Sequence, residues 1–215
     1  MKRLRILLGD DHPMLLHGIK GLLESHYEVV GSEGNGKALI EAALRLKPDL
    51  AVLDVSMPIL NGIDAAREIK KALPSIKLVF LTMQTNAIYL RKALEAGASG
   101  YVLKSGAAEE LLTGIDEARK GNVYITPNFG QDVIESVQNW GERRARSPVE
   151  LTDRQRHILQ LLAEGKQNKE IAEIAHISVR TVEFHRSRLM TRLGAHSVAE
   201  LTKFAIQEGL IDGQW

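Results

Sequence analysis

Across the first 120 residues, short apolar runs alternate with longer helical patterns, and that alternation is the mark of a parallel sheet wrapped by helices. The runs are Leu4 to Gly9, Tyr27 to Ser32, Leu50 to Val55, Lys77 to Thr82 and Gly100 to Lys104. Between them the periodicity predicts helices at Pro13 to Glu24, Gly36 to Leu46, Ile63 to Leu73, Asn86 to Ala96 and Ala107 to Lys120. Five βα units result, which predicts an α/β fold: a doubly wound, five-stranded parallel sheet of the flavodoxin-like type. Such a sheet gathers its functional groups where the carboxyl ends of the strands meet a crevice.

Beyond Gly121 the rhythm changes. Asn128 to Trp140 reads as a helix, and Gly141 to Pro148 is charged, ends in proline and has no apolar periodicity, as a linker should. From Leu151 only helical periodicity remains, in segments near Asp153 to Ala163, Asn168 to Ile174, Val179 to Leu193 and Val198 to Glu208. The expected division is therefore a domain at 1–122, a linker with a helix at 123–149, and a small all-α, four-helix domain at 150–215. A length of 215 residues suits two such cores, since domains cluster near roughly 100 to 150 residues.

Composition narrows the classes further. A hydrophobic fraction of 44% and a charged fraction of 26% exclude a chain that stays disordered. The absence of cysteine excludes disulfides and thiolate metal sites. No run approaches a membrane span, and the apolar run behind the basic start ends at Asp10-Asp11, too soon for a signal peptide. These features predict a cytoplasmic protein with no membrane partner.

If the strands are right, Asp10 and Asp11 end the first, Asp54 the third, Thr82 the fourth and Lys104 the fifth, so all five face one crevice. Three carboxylates brought together repel one another unless a cation neutralises them, and hard oxygen ligands select Mg²⁺ or Ca²⁺ over softer metals, with hydrated Mg²⁺ the natural occupant. A lysine ammonium and a threonine hydroxyl beside them supply what is needed to hold a phosphoryl group in line with an attacking carboxylate. Singly, each residue has a commoner explanation as a turn, a cap or a solvated lysine. Their placement at the ends of different strands of one sheet outweighs it.

The segments Leu8-Gly-Asp-Asp-His-Pro13, Asp49-Leu-Ala-Val-Leu-Asp-Val-Ser-Met-Pro-Ile-Leu-Asn-Gly62, Leu81-Thr82 and Gly100-Tyr-Val-Leu-Lys104 resemble receiver domains of response regulators, over residues 1 to about 122. The resemblance implies that Asp54 accepts a phosphoryl group from a sensor histidine kinase. It implies that Asp10, Asp11 and Asp54 hold Mg²⁺ with the Ser56 carbonyl, that Lys104 and Thr82 grip the phosphoryl group, and that Tyr101 changes rotamer in response. No enzyme activity is implied beyond the domain's own gain and loss of phosphate. One departure is Ser105, which follows Lys104 where many receivers have proline, so proline does not secure a cis peptide there. An enzyme on the same fold is the strongest rival. Against it, Asp10-Asp11 stands where a nucleotide binder has a glycine-rich loop, and Ser56 stands where a dehalogenase-type phosphatase needs a second acid.

In the last third, Lys166 to Ala175 gives a short helix, His176-Ile177 a tight connection and Ser178 an N-cap for a longer basic helix, which is the helix-turn-helix layout. Between Arg180 and Arg192 four arginines stand against one acid, Glu183, a local charge of +3 inside a chain whose net charge is +1. On a helical wheel Val182, Leu189 and Leu193 share the core face. Arg180, Phe184, Ser187 and Thr191 lie opposite, flanked by Glu183 and Arg188; with Thr181 near the helix start, this surface suits a major groove. A solvated amphipathic helix is the commoner reading of such a stripe, but an aromatic among arginines fits a contact surface better. His157, His176, His185 and His196 lack metal-ligand spacing and read as packing or capping residues.

The segments Leu151 to Leu159, Asn168 to Ala172 and Ser178 to Gly194 resemble a LuxR-type domain, and with the receiver in front the whole chain resembles the NarL/FixJ family. That resemblance implies a transcription regulator switched by phosphorylation. Its partners would be double-stranded promoter DNA read as two half-sites and a second copy of the chain when phosphorylated or on DNA, with RNA polymerase open as a further one. The base preference of Glu183, where some relatives carry lysine, stays open.

Overall fold

In the computed structural model the apolar runs become strands close to where the periodicity puts them. The order along the chain is β1 (Arg5–Gly9), α1 (Pro13–Glu24), β2 (Glu28–Glu33), α2 (Gly36–Leu46), β3 (Leu50–Leu53), α3 (Gly62–Ala72), β4 (Lys77–Thr82), α4 (Ala87–Glu95), β5 (Gly100–Leu103), α5 (Ala108–Lys120) and β6 (Tyr124–Ile125). The structure describes residues 3–106, 108–127, 129 and 151–212, and the chain divides into two units, Met1–Arg144 and Ala145–Trp215. In the first unit all strand pairs are parallel, in the order β2-β1-β3-β4-β5-β6.

The sheet thus has six strands and not the five expected, and the sixth lies beyond residue 122. Gly121 turns the chain at φ 92°, after which Tyr124 pairs with Gly100 and Ile125 with Tyr101. A strand of two residues is too short to leave a period-2 signal, so only its pairing reveals it. The expected linker helix and the charged stretch Gly141 to Pro148 lie outside the described residues, Phe129 excepted.

Strand side chains alternate between two faces, and both are covered. Leu7, Leu53, Leu78 and Phe80 pack with residues of α2, α3 and α4, while Ile6, Leu8, Val52, Val79 and Leu81 pack with residues of α1 and α5. Helix starts are fixed at the site end of the sheet by caps. Pro13 opens α1, and the side chains of Asn35, Asn61 and Asn86 accept hydrogen bonds from the first turns of α2, α3 and α4.

The second unit holds α6 (Asp153–Ala163), α7 (Asn168–Ala175), α8 (Val179–Leu193) and α9 (Val198–Gln207) around a core that includes Ile158, Leu162, Ile171, Val182, Leu189 and Leu201. Thr152 and Gln155 form a capping box at α6, and Ser178 and Ser197 cap α8 and α9. The α7–α8 turn is made by His176 in the left-handed region, φ 52°. Among the described residues no helix is long and apolar enough to cross a membrane.

Candidate acidic site and nucleic-acid interface

Parallel register sets the acidic site. Gly9 pairs with Leu53 and Thr82 with Leu103, so the residues that end or follow β1, β3, β4 and β5 emerge at one end of the sheet, next to where the strand order reverses between β1 and β3. Backbone bonds fix them there: the Asp54 N–H donates to the Gly9 carbonyl at 2.8 Å, and the Lys104 N–H donates to the Thr82 carbonyl at 2.9 Å.

Lys104 Nζ lies 2.7 Å from Asp10 Oδ2 and 2.7 Å from Asp54 Oδ2, with all three side chains buried. The second Asp54 oxygen, Oδ1, is buried without a hydrogen-bond partner. Burial pushes the Asp54 carboxyl above the usual carboxylate range, the Lys104 charge opposes that, and the Asp10 charge adds to it. Burial alone would lower Lys104, but Asp54 and Asp10 more than offset it and hold the ammonium in its charged form.

Asp11 is more exposed and pairs with His12, whose Nδ1 is 2.9 Å from Asp11 Oδ1 and 3.0 Å from Asp10 Oδ1. One ligand atom from each of Asp10, Asp11, His12 and Asp54 lies within 4.8 Å of the others. Three carboxylates against one ammonium, with one carboxylate oxygen left unpartnered, make a donor set that fits a hard divalent cation. Sequence reasoning gave His12 no role, because its contacts with both acids depend on the turn after β1.

Thr82 is fully buried at the end of β4, and its hydroxyl accepts from the Gln84 N–H at 3.3 Å. Tyr101, whose rotamer the resemblance expects to change on phosphorylation, is fully buried within β5 and faces inward. Its hydroxyl donates to the Gln84 carbonyl at 2.9 Å. Burial first, then the charges of Asp54 and Tyr89, push the phenol far above its ordinary pKa, so it stays a donor. Gln84 Nε2 in turn donates to Ser56 Oγ at 3.1 Å. Gln84 therefore ties the β3–α3 and β4–α4 loops to Tyr101, and nothing in a single polar loop residue announces that. The Lys104–Ser105 peptide is trans.

On α8, Val182 and Leu189 are fully buried, while Arg180, Glu183, Ser187, Arg188 and Thr191 are exposed. Phe184 keeps 55% of its surface exposed although it is a large apolar residue, and the Arg188 guanidinium stacks on its ring 5.4 Å from the centroid. Thr181 is half-buried and joins the cap: its N–H donates to Ser178 Oγ at 3.1 Å, and the two hydroxyls lie 2.8 Å apart.

The raised Asp54 carboxyl carries a stability prediction. A carboxyl whose folded pKa lies above its unfolded one costs folding free energy once ionised, fully so above the folded value and not at all below the unfolded one. Asp54→Asn should therefore melt higher than the parent at neutral pH without divalent cations, with the gap closing as pH falls. Equal melting temperatures across that range would contradict the burial account.

A parallel sheet with carboxylates, a lysine and a hydroxyl at one end, accompanied by a helix-turn-helix, defines a response regulator. Residues 6–116 match the response regulator receiver domain, and residues 149–205 match the bacterial regulatory proteins of the luxR family. The chain is 35% identical over 211 residues to the transcriptional regulatory protein MctR of Rhizobium johnstonii, covering 97% of this chain and 96% of that one. It is 34% identical over 210 residues to the response regulator VraR of Staphylococcus aureus, covering 97% and 99%. Among solved structures, RcsB of Salmonella typhimurium aligns with TM-score 0.63 and 29% identity over 97% of this chain and 99% of that one. RcsB dimers bound to DNA align with TM-score 0.57 and 26% identity over 96% and 99%. The chain belongs to the NarL/FixJ family: it is a two-component response regulator with a LuxR-type DNA-binding domain, acting in transcription.

Proposed function

We propose that Asp54 is the phosphoryl acceptor, and the observation that carries this is its buried, unpartnered Oδ1 beside the Lys104 clamp. An Asp54 oxygen forms a bond to phosphorus while the bond from phosphorus to the kinase histidine breaks, and the imidazole leaves with that electron pair. Lys104, kept cationic by its two carboxylate neighbours, donates to the phosphoryl oxygens, and the Thr82 hydroxyl donates from the other strand end. Asp10, Asp11 and Asp54, with the Ser56 carbonyl, are the groups that would hold Mg²⁺, which when bound neutralises charge on the transferred group. Loss of the phosphoryl group to water is the only other chemistry we assign.

The added group brings roughly −1.5 to −2 charge. It competes for the Lys104 and Thr82 donors, and Tyr101 reads the change through Gln84. We assign the receiver to the residues up to at least Phe129 and the DNA-binding domain to those from about Leu151. The output surface is the exposed face of α8, with Arg180, Thr181, Glu183, Phe184, Ser187 and Arg188 directed at promoter DNA. The RcsB dimers on DNA support a homodimer reading two half-sites. The kinase is a sensor histidine kinase, RNA polymerase is the further partner at a promoter, and the setting is the cytoplasm.

Acetyl phosphate with Mg²⁺ should modify the parent at Asp54 and leave Asp54→Asn unmodified, read by intact-protein and peptide mass spectrometry. Unchanged modification of the variant would place the acceptor elsewhere.

A further inference from the structure

The stretch matching the receiver domain ends at residue 116, yet Phe129, thirteen residues on by count, has only 3% of its surface exposed. Strand β6 takes it there. Tyr124 packs on the α5 side of the sheet and Ile125 on the other. Thr126 follows, fully buried: its N–H donates to the Tyr101 carbonyl at 3.0 Å, and its hydroxyl accepts from the Leu103 N–H at 3.2 Å and donates to the Glu110 carboxylate at 2.8 Å. A turn closed by the Phe129 N–H on the Thr126 carbonyl, 3.0 Å, then sets Phe129 on the Tyr101 side.

The two rings meet edge to face, with centroids 5.4 Å apart at 90°, and Phe80 of β4 also lies against Tyr101, at 6.2 Å. The Tyr101 hydroxyl holds the Gln84 carbonyl, and the Gln84 side chain holds Ser56, two residues past Asp54. Contacts thus run without a gap from the β3–α3 turn to Phe129. Phosphoryl chemistry itself requires neither Thr126 nor Phe129.

We propose that Phe129 is a positioning residue for Tyr101: its ring, packed edge to face with the phenol, holds it inward against Gln84, so the rotamer of Tyr101 and the placement of Phe129 after β6 are set together. The chain that leaves β6 through Phe129 is the same chain that carries the DNA-binding unit from about Leu151. The inference rests on the proposed roles of Asp54 and Tyr101.

The test uses the full chain carrying 3-fluorotyrosine, with the Tyr101 resonance assigned by Tyr101→Phe and its exposure read from relaxation by a soluble gadolinium chelate. Phe129→Leu and Phe129→Met keep an apolar group without the ring, and Phe129→Tyr keeps the ring. In the first two, acetyl phosphate uptake at Asp54 should proceed at the parent rate. The ratio of inward to outward Tyr101 should fall by roughly 2- to 10-fold, the equivalent of one aromatic edge contact. Phe129→Tyr should restore the parent signal. A Tyr101 resonance in folded Phe129→Leu or Phe129→Met as shielded as in the parent would overturn the proposal, as would failure of Phe129→Tyr to restore it. Failure of the parent to take up phosphate would count against the Asp54 assignment alone, since the Tyr101 signal is read without phosphate.

Discussion

Gly62→Ala should unfold the receiver's site more thoroughly than any removal of a catalytic group. Gly62 opens α3, and its N–H donates to the Val55 carbonyl at 2.9 Å. A Cβ there would sit 1.8 Å from the Asp54 carbonyl oxygen and 2.9 Å from the carbonyl carbon. Both are backbone atoms and cannot swing aside, so the β3–α3 turn must open and take Asp54 and Ser56 away from Lys104. Overpacking costs roughly 1–3 kcal/mol where side chains can yield, and a backbone clash belongs at the upper end or beyond it. Loss of phosphoryl uptake should accompany the loss of stability. Gly18→Ala is the control, because a Cβ at this α1 position meets nothing within 4 Å and gains helix propensity of about 1 kcal/mol. Calorimetry and labelling of both variants check the argument; a Gly62→Ala protein as stable and as reactive as the parent would show that the turn is softer than its contacts imply.

The second large effect separates folding from DNA binding on a single helix. Leu189 is fully buried in the core of the second unit, so Leu189→Ala should cost about 2–5 kcal/mol of that unit's stability. Arg180 and Arg188 are exposed on the opposite face, so their removal should leave the melting temperature nearly unchanged. DNA binding should weaken instead. A phosphate contact would lower the salt slope by about 1, and a base contact would cost about 1–3 kcal/mol with relaxed specificity. The Phe184 ring holds the Arg188 guanidinium, so Phe184→Ala should reproduce part of the Arg188→Ala loss. Denaturant titration and affinity measured at several salt concentrations distinguish the faces. If both arginine variants bound a selected duplex like the parent at every salt concentration, α8 would not be the reading element.

The elements that sequence alone predicts well are those whose burial is periodic. β3 and β4 are apolar on both faces, and α8 divides Val182 and Leu189 from Arg188, so pattern carries the architecture. The acidic site was legible for a related reason: Asp10, Asp54, Thr82 and Lys104 each follow or end an apolar run, and strand-end placement follows from the topology. What sequence left hidden depends on contacts across the chain. Strand β6 has two residues and no period, and its partner is β5, more than twenty residues earlier by position. His12, Gln84, Thr126 and Phe129 are individually ordinary polar or apolar residues, and their roles arise from turns that bring them to Asp10, Ser56, Leu103 and Tyr101. Packing continues past residue 122, where the chain's charge and rhythm change, as far as Phe129, and that continuation also rests on contacts across the chain.

The central claim is that a phosphoryl group on Asp54 governs what the exposed face of α8 does. The most direct measurement selects a binding duplex from a random library with the full-length parent. It then compares affinity with and without acetyl phosphate and Mg²⁺ for the parent and for Asp54→Asn. The account predicts that the parent's affinity changes on phosphorylation and that Asp54→Asn stays at the unphosphorylated value under both conditions. An equal change in both proteins, or none in a parent shown by mass to be phosphorylated, would contradict it.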